Sequence, residues 1–160
     1  MKNSSKGFSL IELLIVVAII LIIAAIAIPN LLRSRIAANQ ASAVGSLRTL
    51  NTSEITYSST FNVGFTQTLS YLAPPTVASN PTSTAAGLID SVLAAGSKSG
   101  YSFTYSPGAS DSTGRINTYS FIAVPITSST GTNYYFTDQS GVIRQNSTST
   151  AASTDSPIAG

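Results

Sequence analysis

An α+β fold, in which one long amino-terminal helix packs on roughly four antiparallel strands, is what this 160-residue sequence predicts. Three observations carry that reading. The residues before Pro29 are almost continuously apolar, those from Pro29 to about Thr60 repeat their apolar positions at helical spacing, and beyond Gly100 the period changes to two. The length allows one domain with an appended segment. Charged residues make up only 9% of the chain, against about a quarter in a typical soluble domain, while hydrophobic ones reach 43% and crowd toward the amino terminus. This distribution describes a membrane-inserted stem with a polar remainder. His and Cys are absent, which excludes imidazole acid–base catalysis, thiol nucleophiles and the usual zinc sites. The net charge of +2 comes from Lys2 and Lys6, the rest of the chain being balanced, so bulk charge offers no footprint for nucleic acid.

The first element is the stem. Met1 to Gly7 is short, polar and cationic, and the stretch from Phe8 to Ile28 is apolar apart from Ser9 and Glu12. At a 1.5 Å rise per residue it spans roughly 31 Å, enough to cross a bilayer core and longer than the apolar part of an ordinary signal peptide. Positive charge before it places the amino terminus on the cytoplasmic side. Glu12 stands out, because a carboxylate at the centre of a membrane helix costs about 2.5 kcal/mol or more and marks a functional position unless it reaches the headgroups.

The run Gly7-Phe8-Ser9-Leu10-Ile11-Glu12-Leu13-Leu14-Ile15-Val16-Val17-Ala18-Ile19-Ile20, followed by Ala24-Ala25-Ile26-Ala27-Ile28-Pro29, closely resembles the amino-terminal signature of type IV pilins and type II secretion pseudopilins. The resemblance implies that a prepilin peptidase cuts between Gly7 and Phe8 and that the new amine of Phe8 is methylated. It also implies that Glu12 is the acid of the motif, acting with Phe8 in subunit assembly. It is strong from Lys6 to about Thr60. A physical account accompanies it. Glu12 lies one helical turn after Phe8, so its carboxylate can meet the terminal ammonium of a neighbouring, axially shifted helix. Such a pair specifies register more than it adds stability, since a misplaced subunit leaves a charge unpaired in low dielectric.

The second half of the helix is amphipathic: Leu32, Ile36, Ala43, Leu47, Leu50 and Glu54 follow spacings of three, four or seven, with Arg33, Arg35, Asn39, Gln40 and Arg48 on other faces. One helix is thus expected from about Ser9 to about Thr60, with Pro29 and Gly45 as sites of kinking or local melting. Phe61 to Pro81 reads as loop, interrupted by Ala73-Pro74-Pro75 and Asn80-Pro81. A short helix is expected from Thr84, its N-cap, to Ala95, with Gly96 as the stop. Four strands follow, at Tyr101–Tyr105, Ile116–Val124, Asn133–Thr137 and Gly141–Arg144, separated by Gly, Pro, Asp and Ser turns. Their aromatic face is expected to cover the second half of the long helix. The boundaries are then a leader at 1–7, a transmembrane and polymerisation helix at 8–29, a head at 30–145 and a Ser/Thr-rich tail at 146–160, either disordered or draped over the head.

The remaining candidate sites are weak. Ser97-Lys98-Ser99 pairs a hydroxyl with an amine, as chance would in so Ser-rich a chain. Asp111 and Asp138 read as turn residues, without the spacing of a calcium loop. Asn51 and Asn146 head glycosylation sequons, and Ser147 and Thr148 begin a hydroxyl cluster open to O-linked sugar. No catalytic residue, metal site or cofactor is expected. The resemblance implies a structural subunit, held in the inner membrane and then assembled with copies of itself into a helical pilus fibre at the cell surface, with the prepilin peptidase and an inner-membrane assembly platform as partners. Two alternatives stand beside it: a pseudopilin of a short periplasmic pseudopilus, and a monomeric membrane-anchored binding protein. The last leaves Glu12 without a partner.

Overall fold

The computed structural model of the protein describes residues 8–76 and 79–158. Internal contacts divide the chain into a stem, up to Arg35, and a head from Ile36 onward, and one helix, α1 (Leu10–Phe61), belongs to both. In the stem, every residue from Phe8 to Arg35 is exposed except the half-buried Ala24. The most apolar 18-residue window of α1 has a mean hydropathy of 3.3 and buries nothing against the chain itself. The helix is continuous across Pro29 and Gly45. Proline has no N–H to donate, so the Ala25 carbonyl loses its helical partner there without ending the helix.

In the head, the helix buries Ala43, Ser46, Leu47, Leu50, Asn51, Ser53, Glu54 and Tyr57, a stripe of one turn's spacing facing a sheet. That sheet has five strands in the order of the chain: β1 (Ser97–Lys98), β2 (Tyr101–Pro107), β3 (Tyr119–Pro125), β4 (Tyr134–Asp138) and β5 (Arg144–Asn146), all antiparallel. Alternation sends Tyr101 and Phe103 of β2, Tyr119, Phe121 and Ala123 of β3, and Tyr135 and Thr137 of β4 inward. Register places the small Ala123 between Phe103 and Tyr135, so large rings flank a small residue and the layer closes without overlap. The rings of Tyr105 and Phe121 lie 4.8 Å apart, and those of Phe65 and Tyr119 meet edge to face at 4.6 Å. Gly131 makes room for this packing: a Cβ there would collide with the Tyr101 ring, whose hydroxyl donates to the Asn133 carbonyl at 2.8 Å.

Several expectations are corrected. The sheet has five strands, because Ser99 (φ 50°) and Gly100 (φ 75°) form a tight left-handed turn that folds Ser97–Lys98 back on β2. The last strand begins at Arg144, where the sequence suggested Gly141; Gly141 has φ 74° and donates to the Asp138 carbonyl, which keeps it in the turn. The helix expected from Thr84 shrinks to α2 (Ser91–Ala94), whose N-cap is Asp90, accepting from the Leu93 amide at 2.8 Å. Gly87, at φ 66°, cannot continue a helix from Thr84, and the amides of Ala86, Gly87 and Leu88 donate to the carbonyls of Tyr71, Ala73 and Leu72. The stretch read as loop contains a 3₁₀ turn at Leu69–Leu72. Of the two expectations for the tail, residues 146–158 meet the second and lie against the head: Asn146 belongs to β5, Ala151 is buried, and Ile158 packs against the core.

Candidate functional site

At the start of the stem, Phe8 is exposed, Ser9 precedes the first helical residue, and Glu12 folds back on Ser9. The Ser9 amide donates to Glu12 Oε2 at 3.0 Å, while Ser9 Oγ accepts from the Ile11 amide at 3.3 Å. This is a capping box, in which a hydroxyl residue and an acid three positions later satisfy amides that a helix start leaves unpaired. Glu12 therefore caps its own helix with one oxygen, Oε2. The pattern Ser-x-x-Glu is legible in the sequence and supplies a local role that the charge argument alone had missed. Gly7, and with it the expected cut, lies outside the described residues; Phe8 marks their start.

The head holds a second carboxylate on the same helix, Glu54, fully buried. Its Oε2 accepts the Thr66 amide at 3.0 Å and its Oε1 the Thr66 hydroxyl at 2.6 Å. The Thr66 carbonyl accepts from the Tyr105 hydroxyl at 2.6 Å. Every polar group of Thr66 is thereby taken, and the segment after α1 is pinned between the helix and β2. Burial pushes the Glu54 carboxyl above its ordinary range, and the Thr66 bonds oppose that rise only in part. Tyr105 and Tyr119 are pushed up by burial and then by the Glu54 charge, and Tyr101 by burial to about 12. One turn earlier, Asn51 donates to Thr137 Oγ1 at 2.8 Å and accepts from the Tyr119 hydroxyl at 3.2 Å. These side chains cross-link helix and sheet. Sequence reasoning placed Glu54 on the inward stripe without finding its partner, for nothing local signals Thr66.

The other sequence candidates do not converge. Asn51 is buried with its amide engaged, which leaves no room for a glycan on the folded head. Asn146 is half-buried and bonded to Asp155, whereas Ser147 and Thr148 are exposed. Lys98 Nζ donates to Asp90 at 2.7 Å, away from any role as a base for Ser97 or Ser99, and that bond with the Leu93 amide holds the Asp90 carboxyl below its usual range. Asp111 is likewise lowered, by Thr113, Asn117 and Arg115 within its own turn. Among the described residues no three Asp or Glu side chains gather as metal ligands.

Comparison with known proteins agrees with the stem. A family model described as a prokaryotic N-terminal methylation motif matches residues 2–28. The chain is also similar to the type IV wide pilus major component PilA4 of Thermus thermophilus, 67% identical over 39 residues, which is 24% of this chain and 29% of that protein. The match thus spans under a third of the relative's length. No solved structure matches. An apolar, motif-bearing helix whose second half packs on an antiparallel sheet is a pilin-like arrangement, and the amino-terminal segment of this chain is similar to that of a type IV pilus major component.

Proposed function

We propose that this protein is the structural subunit of a type IV pilus. On this reading the peptidase cuts after Gly7, Phe8 becomes the methylated amino terminus, and residues 8–29 hold the subunit in the inner membrane. The assembly platform then transfers it into a helical fibre of identical copies at the cell surface. The observation that carries the reading is the stem itself: a motif-bearing apolar segment whose 18-residue window of mean hydropathy 3.3 is not covered by the described residues. Water does not tolerate so long an apolar surface, so lipid covers it before assembly and other stems cover it afterwards. Glu12 serves the second state. With Oε2 on the Ser9 amide, its remaining oxygen faces the terminal ammonium of a neighbour's Phe8, and the pair fixes the axial register of subunits.

The similarity to a pilus major component favours the surface fibre over a periplasmic pseudopilus. The head supports a structural rather than an enzymatic role, because its interior polar groups are consumed in joining helix to sheet. Mass spectrometry of fibres sheared from cells tests the proposal. The expected subunit begins at Phe8 and carries one added methyl. Fibres lacking this chain, or containing it with an intact Met1, would refute it.

A further inference from the structure

The geometry points to a strap: residues 147–158 close the outer edge of β5 and withhold it from strand pairing with a second copy of this chain. The sheet ends at β5, whose far side carries the Gln145 amide, with the Ile143 carbonyl just before the strand, backbone groups that an unprotected edge offers to any passing strand. Both are taken from within. The Gln145 amide donates to the Ser156 carbonyl at 3.0 Å, and the Ile158 amide donates to the Ile143 carbonyl at 2.9 Å. Between these two bonds Arg144 faces Pro157 in an antiparallel bridge. In that register the N–H of residue 157 would point away from β5, toward the next strand in line. Proline has none, so the strap covers one edge without presenting another complete one.

Asp155 holds the strap in place. Its Oδ1 accepts from Asn146 Nδ2 at 3.0 Å, its Oδ2 from the Ala152 amide at 2.7 Å, and its carbonyl from Arg144 Nη1 at 2.8 Å. Asn146 starts the turn, its Oδ1 accepting from the amides of Thr148 and Ser149. Ala151, 2% exposed, anchors the middle. The opposite edge needs no such device, since β1 has two residues and one of them is Lys98. The role of the strap does not depend on fibre assembly.

The test uses the full chain in detergent micelles. Hydrogen exchange should show the Gln145 and Ile158 amides protected. D155A should speed their exchange at least tenfold while the Ala123 amide of β3 stays as protected as before. The chain has no cysteine, so Q145C introduces a single thiol at the edge. Under diamide, Q145C in the D155A background should form an intermolecular disulfide, and Q145C alone should not. If D155A also lowers protection at Ala123, N146A, which removes the turn and one Asp155 bond, should give the selective loss instead. Rapid exchange at Gln145 and Ile158 in the unaltered chain would overturn the strap, as would unchanged exchange in both variants. Selective opening with no cross-linking would overturn its edge-guarding role.

Discussion

The two halves of α1 invert the ordinary relation between apolarity and burial. The stem half carries the most apolar residues of the chain and covers none of them, while the head half places Ser46, Asn51, Ser53 and Glu54 on its inner face and buries them all. The difference lies in what the chain supplies as cover. For the head it supplies a sheet with matched partners, Thr137 for Asn51 and Thr66 for Glu54, so that among the described residues no buried side-chain polar atom lacks a hydrogen bond. For the stem, among the described residues, it supplies nothing, and on the proposed function the cover comes from lipid or from other copies. Polarity inside and apolarity outside are each consistent once the partner of each surface is counted.

Removing residues 1–28 gives the sharpest separation of the two halves. The remaining chain should stay in solution without detergent as a monomer, measured by light scattering, because the face around Leu47 remains covered by the sheet. Continued self-assembly would show that the head, too, carries a polymerising surface. Single substitutions make the same contrast on a smaller scale. Leu47 is 0% exposed, and Leu47→Ala should destabilise the head by about 2–5 kcal/mol, seen as a lowered thermal midpoint of the near-ultraviolet tyrosine signal. Leu14 is 59% exposed, and Leu14→Ala should leave that midpoint unchanged.

The helix and the strand positions after Gly100 were legible because each rests on local periodicity that tertiary packing only reinforces. Period two survives in Tyr101, Phe103 and Tyr119, Phe121, Ala123, all inward. What was not legible depends on distant groups. The stretch from Thr84 has apolar residues at helical spacing, yet carbonyls at 71–73 capture its amides, and Gly87 adopts a conformation that no helix uses. The Ser/Thr-rich tail has no period to read, and its order comes from one acid, Asp155, and from the edge of β5. Glu12 stands out in the sequence as an acid in an apolar span, whereas Glu54 reads only as a position on the inward stripe. Only the first announces its local partner, through Ser9 three residues before it, whereas Thr66 is brought to Glu54 by the turn of the chain after α1.

Glu54 should therefore couple head stability to pH. Its folded-state pKa lies above the ordinary value of 4.5, so between that value and the raised one the folded head holds a proton that the unfolded chain releases. Stability falls as pH rises through this window, and the stabilising share is fully present only below 4.5. Glu54→Gln should flatten the dependence of the thermal midpoint on pH there. Glu54→Ala should cost about 1–3 kcal/mol below that window, because the Thr66 amide and hydroxyl are left buried without an acceptor. A pH slope that persists in Glu54→Gln would place the titrating group elsewhere.

Glu12→Gln, like Leu14→Ala, should leave the head's thermal midpoint unchanged, and for that reason it isolates the role of charge in the stem. Glutamine serves in a capping box as glutamate does, so its side-chain oxygen can still accept the Ser9 amide and the helix start is preserved. What disappears is the negative charge. Glu12→Ala removes both, at about 0.5–2 kcal/mol for the lost cap, and so separates the two contributions. If the carboxylate only caps its own helix, Glu12→Gln should assemble as well as the unaltered chain and Glu12→Ala should not. If it meets a neighbour's terminal ammonium, Glu12→Gln should fail as well, since breaking one side of a buried pair costs about 3–5 kcal/mol and a fibre repeats that loss at every subunit. The second outcome is the one expected. It would be read as a fall in sheared surface fibre beside an undiminished pool of cleaved, membrane-resident subunit. Full fibre yield from Glu12→Gln would leave apolar packing alone to set the register.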